Sequence, residues 1–320
     1  MKKLPFVSIV ISIYNAESTL RKCLETIKNI DYLDYEVILV DDKSKDDSVK
    51  IAKEFPFKLI QLKENKGVAG ARNVGVRKAK GEIVVITDAD CEVKKDWLKN
   101  LIKPFEDENV GIVGGPDKAP EDDTFFARCV DYAWTSFIGT GGMRRGKFRV
   151  ANYYPRGCNI AIRKKIFEEI GYFNKDIVPG EEIDFDIRAK KHGYKLKYVD
   201  NALVLHRRRP TLSRFIRHLI GRGKFRVVLG KAHKELLEPL HIIPALFVVF
   251  VVFGLILSLF SNFILKTYTI LMTIYFTIIF ISGIDSAIKI KDIRAVIVTP
   301  FILFLQHFLY GVGFFKGLLE

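Results

Sequence analysis

The chain reads as a two-part protein: an α/β domain on a largely parallel sheet, then a basic linker and three membrane-spanning helices. Three observations lead there. Short β-branched runs alternate with helical patterns over residues 6–205. Three apolar runs free of charged residues close the chain. The excess positive charge sits between these two regions. The 320 residues hold 51 Lys+Arg against 37 Asp+Glu, a formal +14, and 49% of them are hydrophobic. General disorder and low-complexity fibres are thereby excluded.

The elements follow in order. Residues 6–13 (FVSIVISI) are β-branched and buried in character. Residues 16–29 place Leu20, Leu24 and Ile27 at helical spacing. Residues 36–40 (EVILV) form a second strand and 46–55 a helix. A third strand at 58–62 precedes an Ala- and Gly-rich helix at 68–80. A fourth strand, 82–87 (EIVVIT), ends in Asp88-Ala89-Asp90. Strand-like pieces recur at 196–199 and 202–205. This alternation predicts a parallel sheet with helices on both faces. The first fifteen residues have the outline of a signal peptide but no small-residue cleavage site, so their apolar stretch is assigned to a buried strand.

Charge divides the chain as hydropathy does. Residues 1–205 carry a net +4, whereas 206–240 hold ten basic and two acidic residues. A polybasic segment beside a long apolar run suits anionic lipid on the cytoplasmic side of a membrane. The modest charge of the first part argues against nucleic acid as a partner. Spans are expected at 241–262, 267–284 and 295–315, each long enough for a bilayer core. Lys289, Lys291 and Arg294 put the second loop on the basic, cytoplasmic side, and residues 1–205 with it. The division is therefore a cytoplasmic domain (1–205), an interfacial linker (206–240) and a membrane region (241–320). Within the linker, Leu212, Phe215, Ile216, Leu219 and Ile220 recur at helical spacing between basic residues, as in an amphipathic helix lying on lipid. Gln306 and His307 in the third run suit either inter-helix hydrogen bonds or a function. Cys23, Cys91, Cys129 and Cys158 form no CxxC pair, so no disulfide framework is expected, as in a reducing compartment.

Parallel sheets bind ligands at the carboxyl ends of their strands. The first strand leads into Ser12, Tyr14, Asn15 and Glu17, with neither GxGxxG nor GxxxxGK[ST]. The second ends in Asp41-Asp42, two carboxylates able to accept from a ribose hydroxyl or a base N–H. The same stretch offers Ser44 or Asp46 as a helix N-cap. The fourth ends in Asp88-x-Asp90, a pair that can hold a hard divalent cation against phosphate oxygens. His206, with the arginines at 207–209, can reach that cation or its phosphates; interfacial arginines facing lipid are the alternative. The Gly-rich basic segment 140–149 (TGGMRRGKFR) can cover a diphosphate or be a surface loop.

The ordered series VSIVISIYNAES, VDDKSKDD, GVAGARNVG and ITDADC resembles glycosyltransferase family 2. The likeness continues through RGCNIAIR at 156–163, GYF at 171–173, PGEEIDFDIR at 179–188 and HGY at 192–194. It implies a GT-A fold and inverting transfer from a nucleotide-activated sugar. Carried over, it assigns Ser12, Tyr14, Asn15, Glu17, Asp41, Asp42, Arg72 and Asp88 to the nucleotide sugar. Asp88 and Asp90 would hold Mg2+ or Mn2+, with His206 as a further candidate ligand. Gly157, Asn159, Glu181 and Asp184 would lie on the acceptor side. Glu182 stands where the family usually has an Asp general base, and a carboxylate opposite the leaving group is what single-displacement inversion needs. Glu181 and Asp184 crowd it, and can instead pair with Arg188 or a lysine. Absence of Gln-x-x-Arg-Trp argues against a processive synthase. The resulting expectation is a UDP- or GDP-sugar-dependent enzyme that extends a lipid-linked acceptor at the cell membrane, for cell-surface polysaccharide or glycoprotein glycans. The alternatives are a polyprenyl-phosphate sugar synthase and a non-catalytic nucleotide-sugar-binding membrane protein.

Overall fold

A computed structural model describes residues 4–141, 153–177, 179–207, 211–234 and 237–320. The strands are β1 (Val7–Ile13), β2 (Tyr35–Asp41), β3 (Lys58–Gln61), β4 (Ile83–Asp88), β5 (Cys91–Val93), β6 (Val110–Gly114), β7 (Asp117–Lys118), β8 (Asn159–Arg163), β9 (Lys195–Tyr198) and β10 (Val204–His206). The helices are α1 (Glu17–Lys28), α2 (Ser48–Ala52), α3 (Gly67–Lys78), α4 (Trp97–Ile102), α5 (Phe125–Thr135), α6 (Phe137–Thr140), α7 (Lys164–Ile170), α8 (Glu181–Lys191), α9 (Leu212–Ala232), α10 (Pro239–Ser258), α11 (Asn262–Ile290) and α12 (Ala295–Leu319). Two compact units result, residues 1–120 with 153–207, and residues 121–152 with 208–320.

The first unit is built on a seven-stranded sheet of order β3-β2-β1-β4-β8-β6-β9. β1 lies inside it, parallel to both β2 and β4, and is apolar throughout because both its faces are covered. The segment with the outline of a leader is thus a central strand. Register sets Ile13 beside Asp41 and Ser12 beside Asp88, so the polar ends of β1, β2 and β4 share one edge. α3 lies close on this sheet: a Cβ at Gly75 would collide with Val10.

Two features departed from simple strand–helix alternation. β8 runs antiparallel between β4 and β6. A second sheet of order β5-β10-β7 pairs β10 antiparallel to β5, which sets His206 opposite Cys91, next to Asp90. The expected cap before α2 also differs. Asp47 occupies the cap position without a side-chain cap bond, while Asp46 accepts from the Ser48 backbone N–H at 3.1 Å and Ser44 Oγ accepts from Asn15 N at 3.0 Å. Ser44 and Asp46 therefore tie the β2–α2 turn to the β1–α1 turn.

The second unit contains three helices long and apolar enough to cross a membrane: α10, α11 and α12. Leu246, Phe253 and Ile274 on them are exposed, as lipid-facing side chains are. α11 runs past the expected end of its span, because Asp285 is satisfied in place. Asp285 accepts from Tyr132 Oη at 2.6 Å and pairs with Lys289 at 2.7 Å. α5 packs its Cys129, Val130 and Ala133 with Ile302 and Leu303 of α12, which is why 121–152 groups here and not with the residues before it. The helix expected at 212–230 is present as α9, but Phe215 and Leu219 face protein, not lipid. Glycines let α9 approach α12 closely: a Cβ at Gly223 would strike the Tyr310 carbonyl, and one at Gly313 the Ile220 carbonyl. Gln306 Nε2 donates to Gly139 O at 2.5 Å, and His307 bonds Tyr275 Oη at 2.9 Å and Ile138 O at 3.1 Å. Both third-span polar residues thus make hydrogen bonds between helices.

Candidate active site

At the shared strand edge the first unit gathers most of the expected residues. Asp88, at the end of β4, accepts from Arg72 Nη2 at 2.7 Å. The other arm of that guanidinium, Nη1, donates to Glu181 Oε1 at 2.7 Å. Arg72 is only 4% exposed, so it acts as an internal clamp between α3, β4 and α8. Burial disfavours its charge, but Asp88 and then Glu181 more than offset this and hold it protonated. Gly157 belongs to the same clamp. A Cβ there would run into the Arg72 guanidinium.

Asp90 Oδ1 stands 3.2 Å from His206 Nε2. Donor atoms of Asp88, Asp90 and His206 all lie within 4.8 Å of one another. Burial opposes a charge on His206, yet Asp90, then Asp117, outweigh it and raise the imidazole well above the usual histidine range. Two carboxylates and an imidazole suit Mn2+ or Mg2+ in chemistry and in spacing. Arg207 pairs with Glu92 at 2.8 Å. Arg208 and Arg209 lie outside the described residues, as does 142–149 of the Gly-rich segment.

The acidic run opens α8. Gly180 has φ +115, a conformation that favours glycine, and Glu181 Oε2 accepts its N–H at 3.0 Å. Carboxylates at this end also suit the helix dipole. Burial, and next the neighbouring Glu182, push the Glu181 carboxyl up to about 7 against the pull of Arg72. Asp184 pairs with Arg188 at 2.9 Å. Glu181 and Asp184 are thereby both engaged in ion pairs. Glu182 is half-buried and, among the described residues, makes no hydrogen bond or ion pair.

The β1 and β2 ends are largely bound into their own turns. Asn15, with φ +48, accepts from Lys45 N at 2.8 Å, and Glu17 Oε2 accepts from Asp47 N at 3.1 Å. Tyr14 is exposed and Ser12 half-buried beside Asp88. Asp41 accepts from Ser44 N at 3.3 Å. Asp42 Oδ1 accepts from Lys66 N at 2.6 Å, which closes the start of α3. Burial pushes the Asp42 carboxyl up, against the backbone N–H groups of Lys66 and Gly67.

Asn159 stands apart from an open acceptor surface. It is fully buried: its amide donates to Pro116 O at 3.1 Å and Ala202 O at 2.6 Å, and accepts from Trp97 Nε1 at 3.0 Å. That staples β8 to the segments around β7 and β10. Sequence reasoning missed Asp186, one helical turn beyond Glu182. It is fully buried and, among the described residues, neither carboxyl oxygen has a hydrogen-bond partner. Burial, and then Glu182, raise it well above the usual carboxylate range. A fourth acid in the run, at i+4 from Glu182 and next to the apolar Phe185, was the available signal.

Carboxylates, a buried arginine and an imidazole thus gather at the strand ends of the sheet. Residues 8–171 match the profile of Glycosyl transferase family 2. The chain belongs to that family and is a glycosyltransferase of GT-A fold. It is 28% identical over 329 residues to the dolichyl N-acetyl-alpha-D-glucosaminyl phosphate 3-beta-D-2,3-diacetamido-2,3-dideoxy-beta-D-glucuronosyltransferase of Methanococcus voltae, covering 98% of each chain. Glycosyltransferase AglE of Haloferax volcanii is 28% identical over 236 residues, 70% of this chain and 74% of AglE. In fold, the chain is similar to the mannosyltransferase PcManGT of Pyrobaculum calidifontis, solved with GDP-Man and Mn2+. The TM-score is 0.56 at 24% identity, over 73% of this chain and 65% of that one. At that identity the likeness speaks to the fold alone.

Proposed function

We propose that this protein is a membrane-anchored, metal-dependent inverting glycosyltransferase that moves a sugar from a UDP- or GDP-sugar onto a lipid-linked glycan at the cytoplasmic face. The observation that carries the reading is one cluster at the strand edge. Asp88, Asp90 and His206 converge there, Arg72 ties Asp88 to Glu181, and the adjacent Glu182 carboxylate has no ion-pair partner among the described residues. Support for the acceptor class comes from the Methanococcus relative, which matches end to end and whose name describes transfer to a glycosylated dolichyl phosphate. The three apolar helices supply the membrane anchor that such an acceptor requires.

Asp88, Asp90 and His206 would hold the cation, which when bound supplies neutralisation of the charge developing on the departing diphosphate. The remaining work falls to side chains. Arg72 holds Asp88 in place and adds fixed positive charge near the edge where a diphosphate would lie. Ser12, Tyr14, Asn15, Glu17, Asp41 and Asp42 line the nucleoside end, with Asp42 the acceptor for a base N–H. Gly157 leaves the room Arg72 needs. Glu182 takes the proton from the acceptor hydroxyl as it attacks the anomeric carbon opposite the leaving group, and Glu181 and Asp184 stay neutralised by arginines.

The test is a mass spectrum of lipid-linked glycans from cells with and without the protein, paired with donor turnover in detergent by wild type and Asp90→Ala. Loss of one sugar from a glycosylated lipid, with turnover abolished by Asp90→Ala, is expected. A product bearing one sugar on lipid phosphate would replace this reading with the polyprenyl-phosphate sugar synthase. Unchanged lipids and no donor turnover would leave only nucleotide-sugar binding.

A further inference from the structure

Behind His206 lies a second group of metal-binding atoms with different chemistry. The Sγ atoms of Cys91 and Cys158 and a ring nitrogen of His206 all lie within 4.8 Å of one another. Both cysteines are buried and free. They come from different parts of the chain, one from β5 and the other from the residue before β8. β10 supplies the histidine, through the register that sets His206 opposite Cys91. A separate observation concerns the ring itself. Its Nε2 faces Asp90, whereas its Nδ1 is buried and, among the described residues, makes no hydrogen bond of good geometry. Asp117 Oδ2 stands 3.9 Å from that nitrogen, an electrostatic neighbour too far for a hydrogen bond. A buried ring nitrogen that meets only a distant carboxylate, beside two thiols, is what a soft or borderline cation would satisfy.

We propose that Cys91, Cys158 and His206 Nδ1 form a binding site for a thiophilic divalent cation of the Zn2+ class, distinct from the Asp88/Asp90 pair. Two thiolates and an imidazole are three of the four donors of a tetrahedral zinc centre, with Asp117 or a water as the fourth. Binding releases the two thiol protons and the Nδ1 proton of the imidazolium to solvent, keeps the Nε2 hydrogen in place, and leaves charge on the cation and its sulfurs, with no redox step. The hard-cation pair differs in kind: carboxylate oxygens select Mg2+ or Mn2+, and thiolates do not.

The two positions share one imidazole, which makes them antagonistic; this consequence rests on the function proposed above. A neutral imidazole carries one N–H. A metal on Nδ1 puts that hydrogen on Nε2, where it donates to Asp90 Oδ1 and cannot ligate a cation held by Asp88 and Asp90. Soft-metal loading therefore removes His206 from the hard-cation set.

The experiment is an optical titration of the purified full chain in detergent with Co2+, a spectroscopic stand-in for Zn2+. One Co2+ per chain with a thiolate-to-cobalt charge-transfer band, displaced by one equivalent of Zn2+, is expected. The band should persist in Cys23→Ala and Cys129→Ala. In Cys91→Ala or Cys158→Ala it should vanish, or the affinity fall by more than about tenfold, as expected when a direct ligand is lost. X-ray absorption of the wild-type Zn2+ form, which needs no variant to fold, should show two sulfurs at about 2.3 Å. No band in the wild type, a band that survives both Cys91→Ala and Cys158→Ala, or a zinc shell of oxygen and nitrogen only would overturn the proposal. None of these readouts depends on sugar transfer, so a failure here is separable from a failure of the proposed function.

Discussion

Replacing Arg72 by methionine keeps the bulk of the side chain and removes its charge, which isolates the clamp. Arg72 makes ion pairs of 2.7 Å with both Asp88 and Glu181, and its side chain is 5% exposed. Breaking a buried pair by removing one partner costs about 3–5 kcal/mol, because a buried charge is left uncompensated. Two features of the site favour the lower end. The Asp88 side chain is 28% exposed, so water relieves it. Glu181, already pushed up to about 7, escapes the penalty by taking a proton. We expect a loss of about 3 kcal/mol, or about 6–12 °C in Tm for a domain of this size. Thermal unfolding of the full chain in detergent reads this directly. Arg72→Met/Glu181→Gln should recover the part of the loss that Glu181 still bears, because the second change removes a carboxyl that must otherwise take a proton to escape it. If Glu181→Gln brings no recovery in the Arg72→Met background, the clamp is not a coupled unit and the reasoning fails.

Three further outcomes are expected. Glu182→Gln should lower kcat by about 100- to 10,000-fold, the usual worth of a positioned general base, with donor KM unchanged; an effect confined to KM would remove Glu182 from the proton transfer. Asp186→Asn should flatten the pH dependence of stability. The folded state holds the Asp186 proton to a higher pH than the unfolded chain does, so between the two pKa values wild-type stability falls by about 1.4 kcal/mol per pH unit as pH rises. Denaturation at pH 5 and pH 8 should show a variant advantage that grows with pH, and parallel curves would contradict the buried neutral acid. Gly223→Leu should destabilise the second unit by about 1–3 kcal/mol or more through overpacking of α9 on α12. Gly221→Leu, with open space at its Cβ position, should cost much less; equal losses in detergent-solubilised stability would refute the close packing.

How much could be read from the residues depends on the range of the interaction. β1 to β4 with their helices, and the three apolar helices, were legible because burial on both faces of a strand and a charge-free helical run are local patterns. So was the candidate cation pair, since Asp88 and Asp90 close a buried strand two residues apart. The ordered motifs were enough to place the chain in its family. Contacts between distant segments were not written in any window of sequence. Asp184 and Arg188, one turn apart, were among the pairings the sequence offered, but Arg72 and Glu181, 109 positions apart, were not. The burial of Asn159, assigned by resemblance to the acceptor side, was not legible either: β8 enters the sheet antiparallel and turns its amide onto Trp97 and Ala202. α9 reads as an amphipathic helix on lipid because hydrophobic periodicity marks a covered face without saying what covers it; Phe215 and Leu219 pack against protein, with glycines on α9 and α12 allowing the approach, while Leu212 stays exposed.

The amino-acid order alone determined the α/β class, the membrane helices and the kinds of chemistry present, since these follow from periodicity, length and residue type. Tertiary structure alone decided which acids pair with arginines, and that β10 carries His206 to a point between two carboxylates and two thiols. The reason is physical. Charge state and metal selectivity depend on distances of a few ångströms between atoms from remote segments, and only the folded backbone sets those distances.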